Sequence, residues 1–340
     1  MDLLKKLIVA HGVSGDEDEV RKIILREIKP HVDEVIVDKL GNLIAVRKGK
    51  KPSVMLAAHM DEVGLMVAAI DENGLISVEP VGDITPTAVL GEEVALRTKK
   101  GIIHGWLTTR DLSASITPKA LPVIEDLIVD TGLTKKELAE WDVRVGTHVS
   151  FDKKASYTTY GKKIAGKALD DRIGCYILIE LAKALKKGVH ETYFVFTVQE
   201  EFGLYGAKTS MHTLDPDWGI AVDVVSATDL LQDDPNKILI GGGPVLTPMD
   251  DRLIASKELN DHLLMLGKKL GIPMQLEVTL KGTTDASVIS LSRGGVPAAV
   301  VAVPMRNMHT TAGIAHKRDI QQAIKLLGAF LTEPLPSGPK

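Results

Sequence analysis

The stretch PSVMLAAHMD, residues 52–61, decides how the rest of the chain reads. Val54–Ala58 is apolar without alternation, the pattern of a strand covered on both faces inside an α/β sheet, and it runs directly into His59-Met60-Asp61. Before it, Leu3, Leu4, Leu7 and Ile8 recur at helical spacing. Ser14 with Glu17 reads as a capping box opening a helix that runs through Ile28 and stops at Pro30, and Val35–Val37 and Leu43–Val46 read as strands. After it the pattern changes. From 69 to 162 short strand-like runs are separated by Gly, Pro and Asn, as in Asp71-Glu72-Asn73-Gly74 and Gly101–Leu107, with one helix from a Thr134/Glu137 capping box to Trp141. From 163 the βα alternation returns: a helix over Asp171–Lys187 ended by Gly188, a strand over Thr192–Gln199, strands at Gly219–Val222, Gln275–Leu280 and Ala298–Val303, and a helix over Lys257–Leu270 ended by Gly271. This predicts an α/β domain formed by 1–68 and 163–340, interrupted by a β-rich insert over 69–162.

Composition agrees. The 340 residues are 44% hydrophobic and 25% charged with a formal net charge of -4, which is globular and carries no block of like charge to suggest a nucleic-acid or anionic-membrane partner. No apolar run approaches the ~18 residues of a membrane span, and the apolar stretch after Lys5-Lys6 is too short for a signal-peptide core, so a cytoplasmic protein is expected. Cys175, the lone cysteine, lies among Ile173, Tyr176 and Ile177 and reads as a buried apolar residue. Gly241-Gly242-Gly243-Pro244 lacks the Lys-Ser/Thr that a phosphate loop needs and reads as a turn.

The chemistry sits at strand ends. Val54–Ala58 leads to His59 and Asp61, Thr192–Gln199 to Glu200 and Glu201, Ile220–Val222 to Asp223, and Ala298–Val303 to a loop reaching His309, while Asp170 and Asp171 open a helix. Ligand sites in open α/β sheets gather beyond the carboxyl ends of strands. Bringing that many carboxylates together without a cation costs several kcal/mol per unpaired charge, so a metal is the natural counter-charge.

The strings AAHMDEVG, KALDDRIG, VQEEFGLYGA, AVDV, KGTTDAS and RNMHT, in this order, resemble the tetrahedral (TET-type) dinuclear metallo-aminopeptidases, a family of glutamyl, leucyl and deblocking enzymes. The resemblance covers nearly the whole chain. It implies a zinc-exopeptidase-like mixed sheet flanked by helices, with the insert as a small β-barrel-like dimerisation domain. It implies two divalent ions per subunit, zinc or cobalt ahead of manganese, held by His59, Asp170, Glu201, Asp223 and His309, with Asp170 bridging. Glu200 would be the general base acting on a metal-bridging hydroxide, and Asp61 would accept the free ring N–H of His59 and orient it. Two dipositive ions would balance Asp170, Glu201, Asp223 and the hydroxide. Glu200 and Glu201, adjacent in extended backbone, would point apart and so divide into base and ligand. The partners implied are peptide substrates and further copies of the chain, as dimers assembling into a tetrahedral dodecamer. Two segments depart from the family pattern. Thr310–Ala315 follows His309 where Ser-Pro and an acidic residue are usual, which bears on substrate preference, and Trp106–Arg110 replaces a proline-rich turn, which bears on subunit contacts.

Other readings account for less of the chain. An N-acyl amino acid deacylase or other amidohydrolase would use the same dinuclear site on a different amide. An endoglucanase-type glycoside hydrolase needs a carboxyl pair flanking a sugar and leaves both histidines without a role. An inactive scaffold would have no use for Glu200.

Overall fold

In a computed structural model, described over residues 2–117, 120–152, 157–185, 190–231 and 236–336, the run at 54–58 is the middle of a long strand, Lys50–His59. It lies inside a mixed sheet ordered Glu34–Val37, Leu43–Arg47, His190–Thr197, Lys50–His59, Trp218–Ser226, Ala298–Arg306, Gly313–His316, Lys163–Gly166, Tyr157–Tyr160. His190–Thr197, Lys50–His59, Trp218–Ser226 and Ala298–Arg306 are parallel neighbours, so their carboxyl ends share one edge. Val245–Met249 pairs antiparallel with Ala298–Arg306 and carries Gln275–Val278 in parallel on its other side.

The unbroken apolar pattern follows from the layers. Val54, Leu56 and Ala58 join a core built with the helices Asp2–Val9, Asp18–Ile28, Leu169–Ala184, Lys257–Leu270 and Lys317–Thr332, while Met55 and Ala57 join a second core with Met211, Leu214 and the helix Asp285–Ser290. Side chains alternate across a strand, so a strand between two cores has no polar position to spare.

The segment from Gly64 to Phe151 forms a closed barrel in the order Gly64–Ile70, Ile76–Val81, Leu127–Asp130, Gly101–Thr109, Glu93–Thr98, His148–Phe151. Its interior is filled by residues such as Leu65, Val67, Val78, Leu96, Leu107 and Val149. Closure removes the exposed edges of a small sheet. The Asp71–Gly74 turn forms as expected: Asp71 Oδ1 accepts from the amides of Asn73 and Leu75, and Gly74 has φ +86°, with Leu133 O only 2.0 Å from where a Cβ would lie. The Thr134/Glu137 capping box opens the helix Lys135–Glu140.

Several boundaries differ from the sequence reading. The helix near Ser14 begins at Asp18, and neither Ser14 nor Glu17 caps it with a side chain. Ser14 Oγ donates instead to Asp61 Oδ2 at 2.6 Å, a charge-assisted bond that aims the hydroxyl at the site and not at the helix amides. The strand read to end at Val222 continues to Ser226, and the one read to end at Val303 continues to Arg306, since the two pair with each other along their full length. The strand from Gln275 stops at Val278. The helix read as starting at Asp171 is helical from Leu169 with non-helical backbone at Asp170 and Asp171, and Asp171 Oδ1 caps Gly174 N at 2.8 Å. It ends at Ala184, with Leu185 already extended, short of the Lys187 expected; Lys187 and Gly188 themselves lie outside the described residues. Gly241 and Gly243 donate to the Asp319 carboxylate, which makes the glycine run a turn held by the last helix. Among the described residues no helix is long and apolar enough to cross a membrane.

A buried cationic cradle joins the N-terminal helix to the carboxyl edge of the sheet. The Arg172 guanidinium donates to the carbonyls of Leu7, Ala10 and Met60 and to Glu62, and Lys167 Nζ donates to both Glu62 oxygens, at 2.6 and 2.7 Å. All three charged side chains are buried. Replacing Arg172 by Met strands these carbonyls and removes one of two cations from Glu62. We expect Arg172→Met to lose ~3–5 kcal/mol in urea unfolding followed by circular dichroism. A loss below ~1 kcal/mol would mean that the cradle does not hold the N-terminal segment.

Candidate metal centre

Register explains why the acidic and imidazole groups meet. Pairing of Trp218–Ser226 with Lys50–His59 stops at Ala221↔Ala57, so Asp223 lies level with His59 where the neighbouring chain leaves the sheet. His59 itself is level with Thr197, two residues before the turn that carries Glu200 and Glu201. His309 sits in the loop between Ala298–Arg306 and Gly313–His316. Asp170 arrives from the opposite side, just before the helix that packs on the central strands.

The groups form two clusters with one shared member. His59, Asp170 and Asp223 offer ligand atoms within 4.8 Å of one another, and so do Asp170, Glu201 and His309. Asp170 faces each cluster with a different oxygen: Oδ1 is 3.0 Å from His59 Nε2, and Oδ2 is 3.4 Å from His309 Nε2. Glu201 Oε2 lies 3.3 Å from His309 Nε2, and Asp223 Oδ1 lies 3.9 Å from His59 Nε2. Glu200 lines the same cleft as these groups.

Asp61 organises the second layer, with more partners than the sequence suggested. Its Oδ1 accepts from Glu200 N and its Oδ2 from Glu201 N, each at 3.1 Å, besides the bond from Ser14. With both oxygens engaged, the nearest acceptor for His59 Nδ1 is the Asp61 carbonyl at 3.2 Å, the carboxylate being 3.5 Å away. This also corrects the extended backbone expected at 200–201. Glu200–Gly203 is a helical turn, entered through Gln199 at φ +53° and with its first amides capped by Asp61. Successive side chains in a helical turn still diverge, so the two carboxylates point apart for a different reason. Non-glycine residues in the left-handed region lie at three parts of the site: Ala168 before Asp170, Gln199 and Leu204 on either side of the Glu200–Gly203 turn, and His309 itself. Each such residue costs of order 1–3 kcal/mol, a cost that persists where the surrounding fold dictates the position.

Electrostatics show what the cluster lacks. Burial pushes Glu200 well above its ordinary range, Glu201 up to about 8 and Asp223 up to about 7, with neighbouring carboxylates adding to each. Burial works against protonated imidazole, yet Asp170 and Glu201 hold His309 up at about 9, and Glu200, Asp170 and Asp61 hold His59 well above 6.5. Among the described residues no lysine or arginine pairs with Asp170, Glu201 or Asp223. Protons thus do the neutralising that a cation would do, and nitrogen and carboxylate donors in sets of three suit a divalent metal with open positions. The residues fit the group that the chemistry calls for.

Sequence reading gave no place in the site to Glu62, Lys167 or Arg172, to Ser14, which it read as a helix cap, or to two further buried acids, Asp285 and Glu17, the latter read as that cap's partner. Asp285 Oδ2 accepts from Thr197 Oγ1 at 2.6 Å while its other oxygen has no partner, and burial raises it to about 6. Glu17 Oε1 accepts from Gly15 N at 2.7 Å and Gln199 N at 3.2 Å, so it braces the turn that presents Glu200. The available signal for Asp285 was its place in KGTTDAS, at a helix start. For Lys167 it was a cation three residues before an acid pair in KALDD.

A parallel-centred α/β sheet with two histidine-carboxylate clusters sharing one aspartate at its carboxyl edge defines a metal-dependent hydrolase. The chain belongs to the M42 glutamyl aminopeptidase family, which matches residues 41–326. A lysyl aminopeptidase of Pyrococcus furiosus is 37% identical over 98% of this chain and 97% of its own. Among solved structures, an aminopeptidase of the archaeon Desulfurococcus kamchatkensis superposes with a TM-score of 0.93 at 34% identity, covering 98% of this chain and 95% of its own. The Pyrococcus horikoshii TET1 peptidase, which can assemble into a tetrahedron or a large octahedral shell, gives 0.88 at 32% identity over 98% and 99% of the two chains. This chain is accordingly a metal-dependent aminopeptidase with the mixed α/β fold of that family.

Burial, with Asp61 adding, raises Glu17 from 4.5 to about 7. A carboxyl raised on folding contributes stability that is present below 4.5 and lost as the pH rises through 7. In chelator-treated protein, Glu17→Gln should therefore gain stability relative to the parent between pH 5 and pH 8, by on the order of 2 kcal/mol in urea melts. A difference that stays constant with pH would show that Glu17 does not titrate in that window.

Proposed function

We propose that the chain binds two divalent ions per subunit, zinc or cobalt ahead of manganese, and releases the N-terminal residue of peptides. The observation that carries this is Asp170, which turns one oxygen to each of two histidine-carboxylate clusters. His59 and Asp223 would complete one ion's protein ligands, and Glu201 and His309 the other's. When bound, two such ions polarise a scissile carbonyl, lower the pKa of water toward neutrality and offer a site for the substrate's free α-amine. The remaining work falls to this chain's side chains. Glu200 takes the proton of the attacking water and returns it to the leaving amine. Its raised pKa in a buried setting suits a group that must hold that proton between the two steps. Asp61 and Ser14 fix the turn that aims Glu200, while the Asp61 carbonyl sets the tautomer of His59.

The assay that tests this offers one leucyl peptide with its amine free and N-acetylated, before and after chelation, with cobalt or zinc restored. Cleavage of the free peptide alone, lost with chelator and regained with metal, is expected. Cleavage of the acetylated peptide alone would point to a deacylase, and chelator-resistant cleavage would remove the metals from the mechanism. Glu200→Gln should keep both metals by elemental analysis and lose turnover by ~10²-fold or more. Full activity in that variant would end the base assignment.

We also infer that the 69–162 insert is the contact through which copies dimerise, and that dimers build a dodecamer. Ile102 and Trp106 project from the same face of one barrel strand, 42% and 55% exposed, and Leu121 and Val123 are exposed nearby in the chain. Large exposed apolar groups in one region mark interaction surfaces. A cytoplasmic site of action belongs to the same proposal, supported by the buried, free Cys175. Sedimentation velocity should show a dodecamer, and Trp106→Lys a smaller species. A monomeric parent would overturn the assembly.

A further inference from the structure

The two histidines of the clusters are held differently. His59 is 2% exposed, and its Nδ1 meets the Asp61 carbonyl at 3.2 Å, an acceptor supplied by its own strand end. The His309 side chain is 27% exposed and stands in a loop, 307–312, that contains no acidic residue. The polar side chains on either side of it are engaged within that loop: Thr310 Oγ1 donates to Asn307 O and accepts from Ala312 N, and Asn307 Nδ2 donates to Ala312 O. With Nε2 turned to Asp170 and Glu201, the ring's other nitrogen finds no acceptor in its own loop.

What faces that nitrogen comes from the barrel. Asp83, which lines the same cleft, places Oδ2 3.9 Å from His309 Nδ1, and among the described residues it forms no ion pair with a lysine or arginine. The Asp83 side chain is exposed, yet its backbone is fixed from both sides. Gly82, at φ +88°, runs so close to the site that a Cβ there would lie 2.8 Å from Val63 Cγ1 and 3.4 Å from Glu201 Cβ. Ile84 is buried in the barrel core. The carboxylate is therefore carried at a constant place beside the ring, while its own torsions are free to close the gap to a hydrogen bond. An exposed ion pair of this kind adds little stability by itself, so its consequence lies in the ring it touches.

We infer that Asp83 is a positioning residue for His309: its carboxylate accepts the Nδ1–H, which leaves Nε2 as the nitrogen offered to a metal and fixes the tilt of the ring. The inference rests on the two-ion reading proposed above. Imidazoles that bind metals donate their second N–H to a carboxylate, a carbonyl or water, and loss of that partner lowers metal affinity by about 10–100-fold. For His59 the partner belongs to the same strand end. For His309 it arrives from the inserted barrel, which thereby contributes a side chain to the site. Solvent exposure and the length of the contact put the expected effect at the lower end of that range.

Equilibrium dialysis of the full-length, chelator-treated protein against graded cobalt(II), followed by elemental analysis, gives the dissociation constant of each ion. Asp83→Ala should raise one constant by about tenfold and leave the other within about twofold of the parent. Asp83→Asn, which keeps an acceptor oxygen, should retain part of the lost affinity. In a His309→Ala background, where the second cluster is already broken, adding Asp83→Ala should change the remaining constant no further. Unchanged melting temperatures of the metal-free variants confirm that each is folded. Both constants unmoved in Asp83→Ala, or an equal rise in both that persists without His309, overturns the inference while leaving the two ions in place. A parent protein that binds fewer than two ions overturns the two-ion reading and the inference with it.

Discussion

A carboxylate with no solvent contact, Asp61, holds the site together. It receives one hydroxyl and two backbone amides, and its backbone carbonyl takes the His59 ring. Through these four contacts it ties the N-terminal segment, the end of the central strand and the Glu200–Glu201 turn to one point. Those donors, together with His59, keep it ionised despite complete burial. An ionised acid in that position can neither be moved nor replaced by an apolar group without releasing several elements at once. The left-handed residues around the site are tolerable for the same reason: the backbone there is dictated from several directions.

Around this anchor the fold concentrates negative charge and withholds positive charge. The cations nearest in the chain, Lys167 and Arg172, are committed to Glu62 and to carbonyls beneath the site. They support the N-terminal segment and leave Asp170, Glu201 and Asp223 to one another and to the two histidines. Desolvation with like-charge crowding raises Glu201 and Asp223, and the carboxylates in turn raise the imidazoles, so without a cation these groups favour holding protons. Metal binding exchanges those protons for a charge that all the groups can share, which is the physical sense of putting so many carboxylates under one roof.

The barrel has its own core and a surface that exposes Trp106 and Ile102, and the loop after its strand Ile76–Val81 brings Asp83 to 3.9 Å from His309 Nδ1. It leaves the sheet directly after the His59–Glu62 segment, and the Glu62 side chain ties that exit to Lys167 and Arg172.

Periodicity and punctuation were enough to read the sandwiched central strand from Val54–Ala58, the capping box at Thr134 and the helix ended by Gly271, since each depends on neighbours within a few residues. The metal-binding and catalytic candidates were legible because strand ends are legible and because the order of short motifs carries a family resemblance. Tertiary structure alone decided the rest. Ser14 does not cap the helix it was read to cap, because its hydroxyl is drawn to the carboxylate of Asp61, 47 residues away. Asp223 proved to lie inside a strand, exposed to the site only because the neighbouring strand ends at His59. The buried acids at 17 and 285 were not legible as neighbours of the site, since in the chain each is one charged residue among many. Burial and the absence of a partner are properties of three-dimensional neighbours, and these turn an ordinary carboxylate into a site that asks for a cation.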